Sequence, residues 1–140
     1  MLLAAVWLFS AATAVRADPL LIHHPSISQE TLNSGALVRI YAMQKRAWSN
    51  GSRVSVFIMP KDITLHRQFV QRYLHMQPYQ LDRFWHRLVF SGTGTIPQVV
   101  ASVEEMIEKV AATPGAIGYI DSAEVDRIDD AMLTVKAHET

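Results

Sequence analysis

Residues 90–120 constrain the fold most strongly, because they predict a turn, a helix and a strand in succession. Ser102 and Glu105 have the spacing of a capping box, in which side chains bond free backbone N–H groups at a helix start. The apolar residues that follow form one helical face: Val103, Met106, Ile107 and Val110. Thr-Pro-Gly at 113–115 ends this helix. Residues 116–120, Ala-Ile-Gly-Tyr-Ile, then predict a buried strand whose small residues allow close approach to its backbone.

The rest of the chain alternates predicted strands with predicted helices. Strands are predicted at three further segments: 19–24, 53–59 and 132–137. Candidate helix starts carry capping residues or a proline: Asn33 or Ser34, Asp62 or Thr64, and Pro78. The polar loop 25–31 follows the first strand, where open α/β sheets bind ligands. Together these elements predict an α/β fold with a mixed or parallel sheet flanked by helices.

Residues 1–17 have the pattern of a signal peptide. Residues 2–15 are uncharged and mostly apolar, and this run is shorter than the roughly 20 residues that a membrane-spanning helix needs. The sequence Val-Arg-Ala at 15–17 fits the small residues that precede a cleavage site. We therefore expect a secreted, periplasmic protein with one folded domain at residues 18–140. The alternative is that the segment is retained as an N-terminal anchor.

The formal net charge is zero, but the charges are distributed unevenly. Residues 39–87 contain nine Lys or Arg and two acids, whereas residues 101–140 contain three bases and nine acids. The basic half is suited to attract an anion or an acidic partner. The alternative is that the two halves attract each other. No repeat of basic and aromatic residues indicates a nucleic-acid partner.

The sequence lacks the residues that the common catalytic and metal sites require. There is no cysteine, which excludes disulfides, thiol nucleophiles and thiolate metal sites. Neither a GxSxG elbow nor a GxGxxG dinucleotide motif occurs, and no histidine pair has the i, i+4 spacing of a zinc helix. His23-His24, at the end of the first predicted strand, is the one pair of interest for a metal. We expect no enzyme activity, no cofactor and no metal.

A set of short motifs occurs in an order that is more specific than any one of them alone. They are L-x-x-I-Y at 37–41 followed by Trp48, Met-Pro at 59–60, Phe69, Trp85 before F-S-G-T-G at 90–94, and P-G-A-I-G-Y at 114–119. In these motifs the chain resembles the phosphate-binding proteins of ABC phosphate transporters. The resemblance covers nearly all of residues 18–140 and implies a single lobe of a type II periplasmic-binding-protein-like fold.

The resemblance also implies where a small oxyanion such as phosphate binds. Family members carry an R-S-D-G-S-G-T-type segment after the central strand, which supplies an arginine, an aspartate and helix N-terminal amides. In this chain residues 59–66 match that segment, with Asp62 at the aspartate and Thr64 at the serine. The arginine and both glycines are absent, and Lys61 supplies a charge but not a planar fork.

Two candidate oxyanion sites follow from these residues. Asp62 and Thr64 lie at a predicted helix start, whose free N–H groups attract anions, with ordinary helix capping by these side chains as the alternative. Ser91, Gly92 and Thr93 form a glycine run whose backbone could cradle an anion, with a plain turn as the alternative.

The sequence leaves three hypotheses for function and partners. The first is a periplasmic solute-binding module that binds phosphate or another oxyanion weakly or with a partner. The second is a ligand-free accessory or sensory domain that binds a membrane transporter or a sensor protein. The third is a homodimer that rebuilds a two-lobed cleft.

Overall fold

The structure, a computed structural model, describes residues 18–28, 30–92 and 94–133. The described residues form four strands and four helices, with α2 and α3 in succession: β1 Pro19–His23, α1 Ser34–Tyr41, β2 Ser55–Ile58, α2 Thr64–Tyr73, α3 Pro78–Ser91, β3 Gln98–Val99, α4 Val103–Ala112 and β4 Ala116–Asp121. Short 3-10 helices are found at Pro25–Ile27, Ser122–Arg127 and Asp130–Met132. The predicted signal peptide, and residues 134–137 of the predicted last strand, lie outside the described residues. Among the described residues, no helix is both long enough and apolar enough to span a bilayer.

The four strands form one mixed sheet in the order β1-β4-β2-β3. β2 runs parallel to β4 and to β3, whereas β1 runs antiparallel to β4. The mixed α/β class predicted from the sequence is therefore confirmed. β4 lies between β1 and β2, and its residues 116–120 are all buried, as the sequence predicted for this strand.

Because β1 is antiparallel to β4, the loop that follows β1 lies at a different edge of the sheet from the one predicted. His23, the last residue of β1, pairs with Ile117 near the start of β4. The loop 25–31 therefore lies at the amino-terminal edge of β4 and β2. The sequence predicted this loop at the edge of the sheet where ligands bind. That prediction is wrong, because it assumed that β1 runs parallel to the other strands.

Helix α4 packs tightly against β4, as the glycine in that strand predicted. The Ser102 hydroxyl accepts a hydrogen bond from the Glu105 N–H at 3.1 Å, and the Glu105 carboxylate accepts one from the Ala101 N–H at 2.8 Å. A Cβ atom at Gly118 would lie 2.5 Å from the Met106 sulfur. The small residue thus allows the helix to approach the sheet more closely than a larger side chain would permit.

The core between the helices and the sheet is aromatic. The ring of Phe69 on α2 stacks on Tyr119 of β4, with centroids 4.0 Å apart and planes 11° apart. Tyr41, at the end of α1, packs against Phe69 with a centroid distance of 4.9 Å. Trp85 of α3 donates from Nε1 to the Tyr41 carbonyl oxygen at 2.8 Å. These contacts join three helices to the central strand.

Candidate functional site

Two helices start at the same edge of the sheet. β2 and β3 are parallel, so their carboxyl ends lie side by side. α2 follows β2 and α4 follows β3, which places both helix N-termini at this edge. In open α/β sheets such an edge is the usual place for a ligand, and helix N-termini attract anions there.

The N-terminus of α4 is capped by a side chain. The Ser102 hydroxyl accepts from the Glu105 N–H in the first turn, and the Glu105 carboxylate accepts from the Ala101 N–H just before the helix. Glu104 and Glu105 also place carboxylates in that turn, where they interact favourably with the helix dipole. An added anion would be repelled by both carboxylates, so this start is unsuited to an oxyanion.

The N-terminus of α2 is open. Its N-cap residue is Ile63, which has no side-chain oxygen, and no side chain caps the helix among the described residues. The predicted capping by Asp62 or Thr64 is therefore wrong, since the helix begins one residue after Asp62 would require. The first turn contains no acidic residue. Its N–H groups and the positive end of the dipole are thus directed towards the sheet edge without a capping group.

Cationic side chains lie near this open helix start. Arg67 donates from Nη2 to the Thr64 hydroxyl oxygen at 3.1 Å, so its guanidinium lies over the first turn. Lys61 is held to one side, with Nζ 3.1 Å from an Asp82 carboxylate oxygen and 5.6 Å from the Trp85 ring centroid. Asp62 is exposed beside them. Among these side chains, Arg67 supplies a planar fork that suits an oxyanion.

A buried histidine anchors the first turn of α2 to the sheet. His66 is 1% exposed, and its Nδ1 lies 2.5 Å from the Tyr119 hydroxyl. The same hydroxyl accepts a hydrogen bond from the Met59 N–H at 2.9 Å, just after β2. Because the hydroxyl already accepts from Met59, we assign its proton to the bond with His66 Nδ1, which places the imidazole proton on Nε2.

Burial sets the protonation of this histidine. Desolvation lowers the pKa of His66 to about 4; Asp82 opposes this effect and Lys61 adds to it. His66 is therefore neutral at pH 7. Its side chain faces the core rather than solvent. Its position three and four residues before the buried Phe69 and Val70 was the signal that it belongs to the inner face.

The second candidate site lies at a helix end. Ser91 is the last residue of α3, so the predicted turn beginning at residue 90 starts two residues later, at Gly92. The Ser91 hydroxyl donates to the Leu88 carbonyl oxygen at 3.1 Å, and the Gly92 N–H donates to the Val89 carbonyl oxygen at 3.3 Å. Thr93 lies outside the described residues. A helix C-terminus carries the negative end of the dipole, which disfavours an anion at this position.

The two candidate sites differ in the kind of helix end they occupy. Asp62 and Thr64 follow the carboxyl end of β2 and lie at the start of α2, whereas Ser91 and Gly92 lie at the end of α3. The helix dipole therefore favours an anion at the first segment and disfavours it at the second.

The histidine pair 23–24 forms local hydrogen bonds. His23 Nδ1 lies 2.8 Å from the His24 carbonyl oxygen, and His24 Nδ1 accepts from the Ser26 N–H at 3.0 Å. Across the described ranges, no three His, Asp or Glu side chains are arranged to hold a metal ion.

Among known proteins, only solved structures were found to be similar to this chain. No protein-family model matches the sequence, and a search of curated proteins finds no match. A protein from Clostridium perfringens, assigned as a phosphate ABC transporter substrate-binding protein and solved with bound phosphate, is 17% identical over 84% of this chain, with a TM-score of 0.59. PstS from Borrelia burgdorferi is 18% identical over 78% of the chain, with a TM-score of 0.61. An ABC-type phosphate transport receptor from Vibrio cholerae is 14% identical over 81%, with a TM-score of 0.56.

These similarities confirm the fold expected from the sequence motifs. The chain has the α/β fold of solute-binding proteins of the periplasmic-binding type, and these structural neighbours are binding proteins rather than enzymes. It spans 44%, 42% and 43% of the three neighbours' lengths. The chain therefore corresponds to less than half of each of these proteins.

Proposed function

We propose that the chain is a solute-binding module that holds phosphate or another small oxyanion, alone or with a partner, at the start of α2. The observation that carries the proposal is the open N-terminus of α2, with Arg67 over its first turn. The similarity to proteins of phosphate transport, one solved with bound phosphate, supports the choice of ligand class. The competing helix start, that of α4, carries its own carboxylates.

Each group at this helix start has a role in the proposal. The N–H groups of residues 64–66 and the Thr64 hydroxyl donate to the oxyanion. Arg67 provides a charged fork seven residues after position 60, where the family pattern has its arginine. The Asp62 carboxylate accepts a hydrogen bond from the hydroxyl of hydrogen phosphate. Fully ionised sulfate has no such hydroxyl, so this contact would distinguish the two anions. The ligand thereby completes the capping that no side chain provides.

Binding is tested by calorimetry and thermal shift with phosphate and sulfate. We expect a phosphate-dependent rise in the melting temperature at millimolar ligand, which follows from binding to the folded state alone. Arg67→Gln is expected to weaken phosphate binding about tenfold or more, equivalent to about 1.4 kcal/mol. Arg39→Gln, at an exposed cation near the end of α1, is the matched control and should leave binding unchanged.

The same titrations decide between the two candidate sites. If α2 holds the ligand, Ser91→Ala and Gly92→Ala leave affinity unchanged, whereas Asp62→Asn reduces the preference for phosphate over sulfate. A loss of binding in the Ser91 or Gly92 variant, with none in Arg67→Gln, would assign the ligand to residues 91–93 instead. Neither heat nor thermal shift with either anion at millimolar concentration would overturn the proposal.

A second candidate function is an accessory or sensory domain without a ligand. It is favoured by the absence, at residues 59–66, of the arginine and both glycines of the family segment. In this case the protein forms a complex with a membrane transporter or sensor protein, and phosphate does not change the affinity. Co-purification with a defined transporter complex, repeated with and without phosphate, separates this function from the first.

Both functions include export as part of the proposal. We propose that residues 1–17 are removed as a signal peptide and that residues 18–140 form the periplasmic domain. N-terminal sequencing of the protein from its source cells should then begin at Asp18. A retained Met1 in the secreted or periplasmic fraction would contradict cleavage at this site.

A further inference from the structure

The outward face of α3 combines aromatic and arginine side chains. Tyr79, Arg83, Arg87 and Phe90 have i, i+4, i+8 and i+11 spacing and are all exposed. Leu81 and Trp85 are buried on the opposite face. Phe90 is 89% exposed, which is unusual for so large an apolar side chain. Arginine and aromatic residues are the types enriched at the centres of protein interfaces.

A further apolar side chain is exposed in the last turn of this helix, where Val89 is 57% exposed. A Cβ at Gly94 would lie 2.7 Å from the Leu88 side chain, so the chain leaving α3 packs back against the helix. This brings the exposed Ile96 towards the same end. We refer to Tyr79, Arg83, Arg87 and Phe90 with this apolar margin as the α3 face.

The charges on the α3 face are not neutralised within the chain. Arg83 lies 5.4 Å from the Tyr79 ring centroid, and neither Arg83 nor Arg87 forms an ion pair among the described residues. No ion pair joins residues 39–87 to residues 101–133 in the described part of the chain. The predicted attraction between the basic and acidic halves is thus not made through direct pairs.

The acidic surface faces solvent in the same way. After β4, the exposed carboxylates of Asp126, Asp129 and Asp130 form no ion pair among the described residues. Arg127 between them is bound to Glu104 and Glu124, at 2.7 and 2.9 Å. The molecule therefore presents one basic aromatic surface and one acidic surface, with a net charge of zero.

We propose that the α3 face binds the acidic segment 126–130 of a second copy of this chain. Charge complementarity identifies the occupant, because each copy carries both surfaces and neither is satisfied internally. In a two-fold dimer the contact is made twice, once in each direction, which gives a closed assembly. The inference does not depend on oxyanion binding.

The dimer is tested by sedimentation velocity at low and high salt. The wild-type protein is expected to sediment as a dimer at low ionic strength and to dissociate at least tenfold more readily at about 0.5 M salt, where charges are screened. Arg83→Glu/Arg87→Glu should be monomeric, and so should Asp126→Lys/Asp130→Lys. An equimolar mixture of the two variants should form a heterodimer, because both charge-complementary contacts are then present.

The controls separate this contact from a general effect of charge. Arg39→Glu/Lys109→Glu makes the same change in net charge at two exposed cations elsewhere and should leave the dimer intact. Phe90→Ala should weaken association at least tenfold without lowering the melting temperature, since the side chain is exposed in the monomer. A wild-type monomer at all concentrations, or a mixture of variants that stays monomeric, would overturn the proposal. Binding of the wild-type monomer to anionic vesicles would then assign the α3 face to a lipid surface.

Discussion

Replacing Gly115 by alanine is expected to destabilise the protein by more than about 4 kcal/mol, or to prevent folding altogether. Gly115 has φ of +79°, in the left-handed region, and a Cβ there would lie 2.2 Å from the Arg53 carbonyl oxygen. That oxygen belongs to the backbone and cannot rotate away. Relief of the clash would require the chain before β2 to move away from the chain entering β4.

The surroundings of Gly115 explain why such a movement is costly. The Gly115 N–H donates to the Ser26 hydroxyl oxygen at 3.0 Å, and its carbonyl oxygen accepts from Trp48 Nε1 at 2.9 Å. The same carbonyl oxygen accepts from the Ser55 N–H at 3.1 Å, at the start of β2. A shift at this residue would therefore break bonds to three separate segments, and the bond to Trp48 is buried. Trp48 is 3% exposed and is bound into this junction.

Gly51→Ala is the matched control for this prediction. Gly51 has φ of +83°, but a Cβ there meets no atom within 4 Å. Its replacement costs only the left-handed backbone strain, about 1–2 kcal/mol. Urea unfolding of both variants measures the difference, which reports the clash alone. Equal losses of stability in the two variants would show that the contact with Arg53 does not constrain the chain.

The sequence predicts best where local chemistry and packing agree. Ser102 and Glu105 cap α4, and Asn33 caps α1 through a bond from the Ala36 N–H at 2.9 Å. Pro78 opens α3 as predicted, with a reciprocal cap between Gln77 and Gln80. In these helices the favoured capping residue also lies at the point where the apolar face begins. Local preference and tertiary packing therefore select the same start.

The sequence fails where tertiary contacts override local preference. At α2, Asp62 and Thr64 are good capping residues, but the cap position falls on Ile63. The bond between His66 and Tyr119 fixes the helix register from inside, and this pairing joins residues 53 positions apart. No local pattern encodes it. The resulting open helix start is the feature on which the functional proposal depends.

Local sequence patterns also failed to predict the direction of β1 and the presence of the edge strand β3. β1 is antiparallel because of its pairing with β4, a contact between the two ends of the domain. β3 has only two residues, both exposed, so it lacks the apolar alternation that identifies a strand. The sheet that positions α2 and α4 could thus be predicted as a class, but not in its strand order.

Lowering the pH from 7 to 4 is expected to reduce the free energy of unfolding by about 3 kcal/mol through His66 alone. The unfolded chain has the ordinary histidine pKa of 6.5, whereas burial lowers the pKa of His66 in the folded state to about 4. Between these values the unfolded state binds more protons. The stabilisation is therefore complete above pH 6.5 and is lost as the pH falls towards 4.

The contribution of His66 is isolated by comparing pH profiles of urea unfolding. His66→Asn keeps an acceptor for the Tyr119 hydroxyl but does not titrate, so its profile should lack the fall between pH 6.5 and 4. His86→Asn, at an exposed histidine of α3, should retain the wild-type profile. Comparing slopes rather than absolute stabilities removes the cost of the smaller side chain. Parallel profiles for wild type and His66→Asn would contradict the assignment.

The pH profile also connects the core to the proposed binding site. A proton on Nδ1 prevents His66 from accepting the Tyr119 hydroxyl, which in turn holds the Met59 N–H after β2. The first turn of α2 is thereby released from the sheet edge, and its N–H groups lose their fixed orientation. Because preorganised donors bind an anion more tightly than mobile ones, oxyanion affinity should decline in the same pH range. His66→Asn, which cannot be protonated there, should retain its affinity for an anion such as sulfate whose charge is constant in this range.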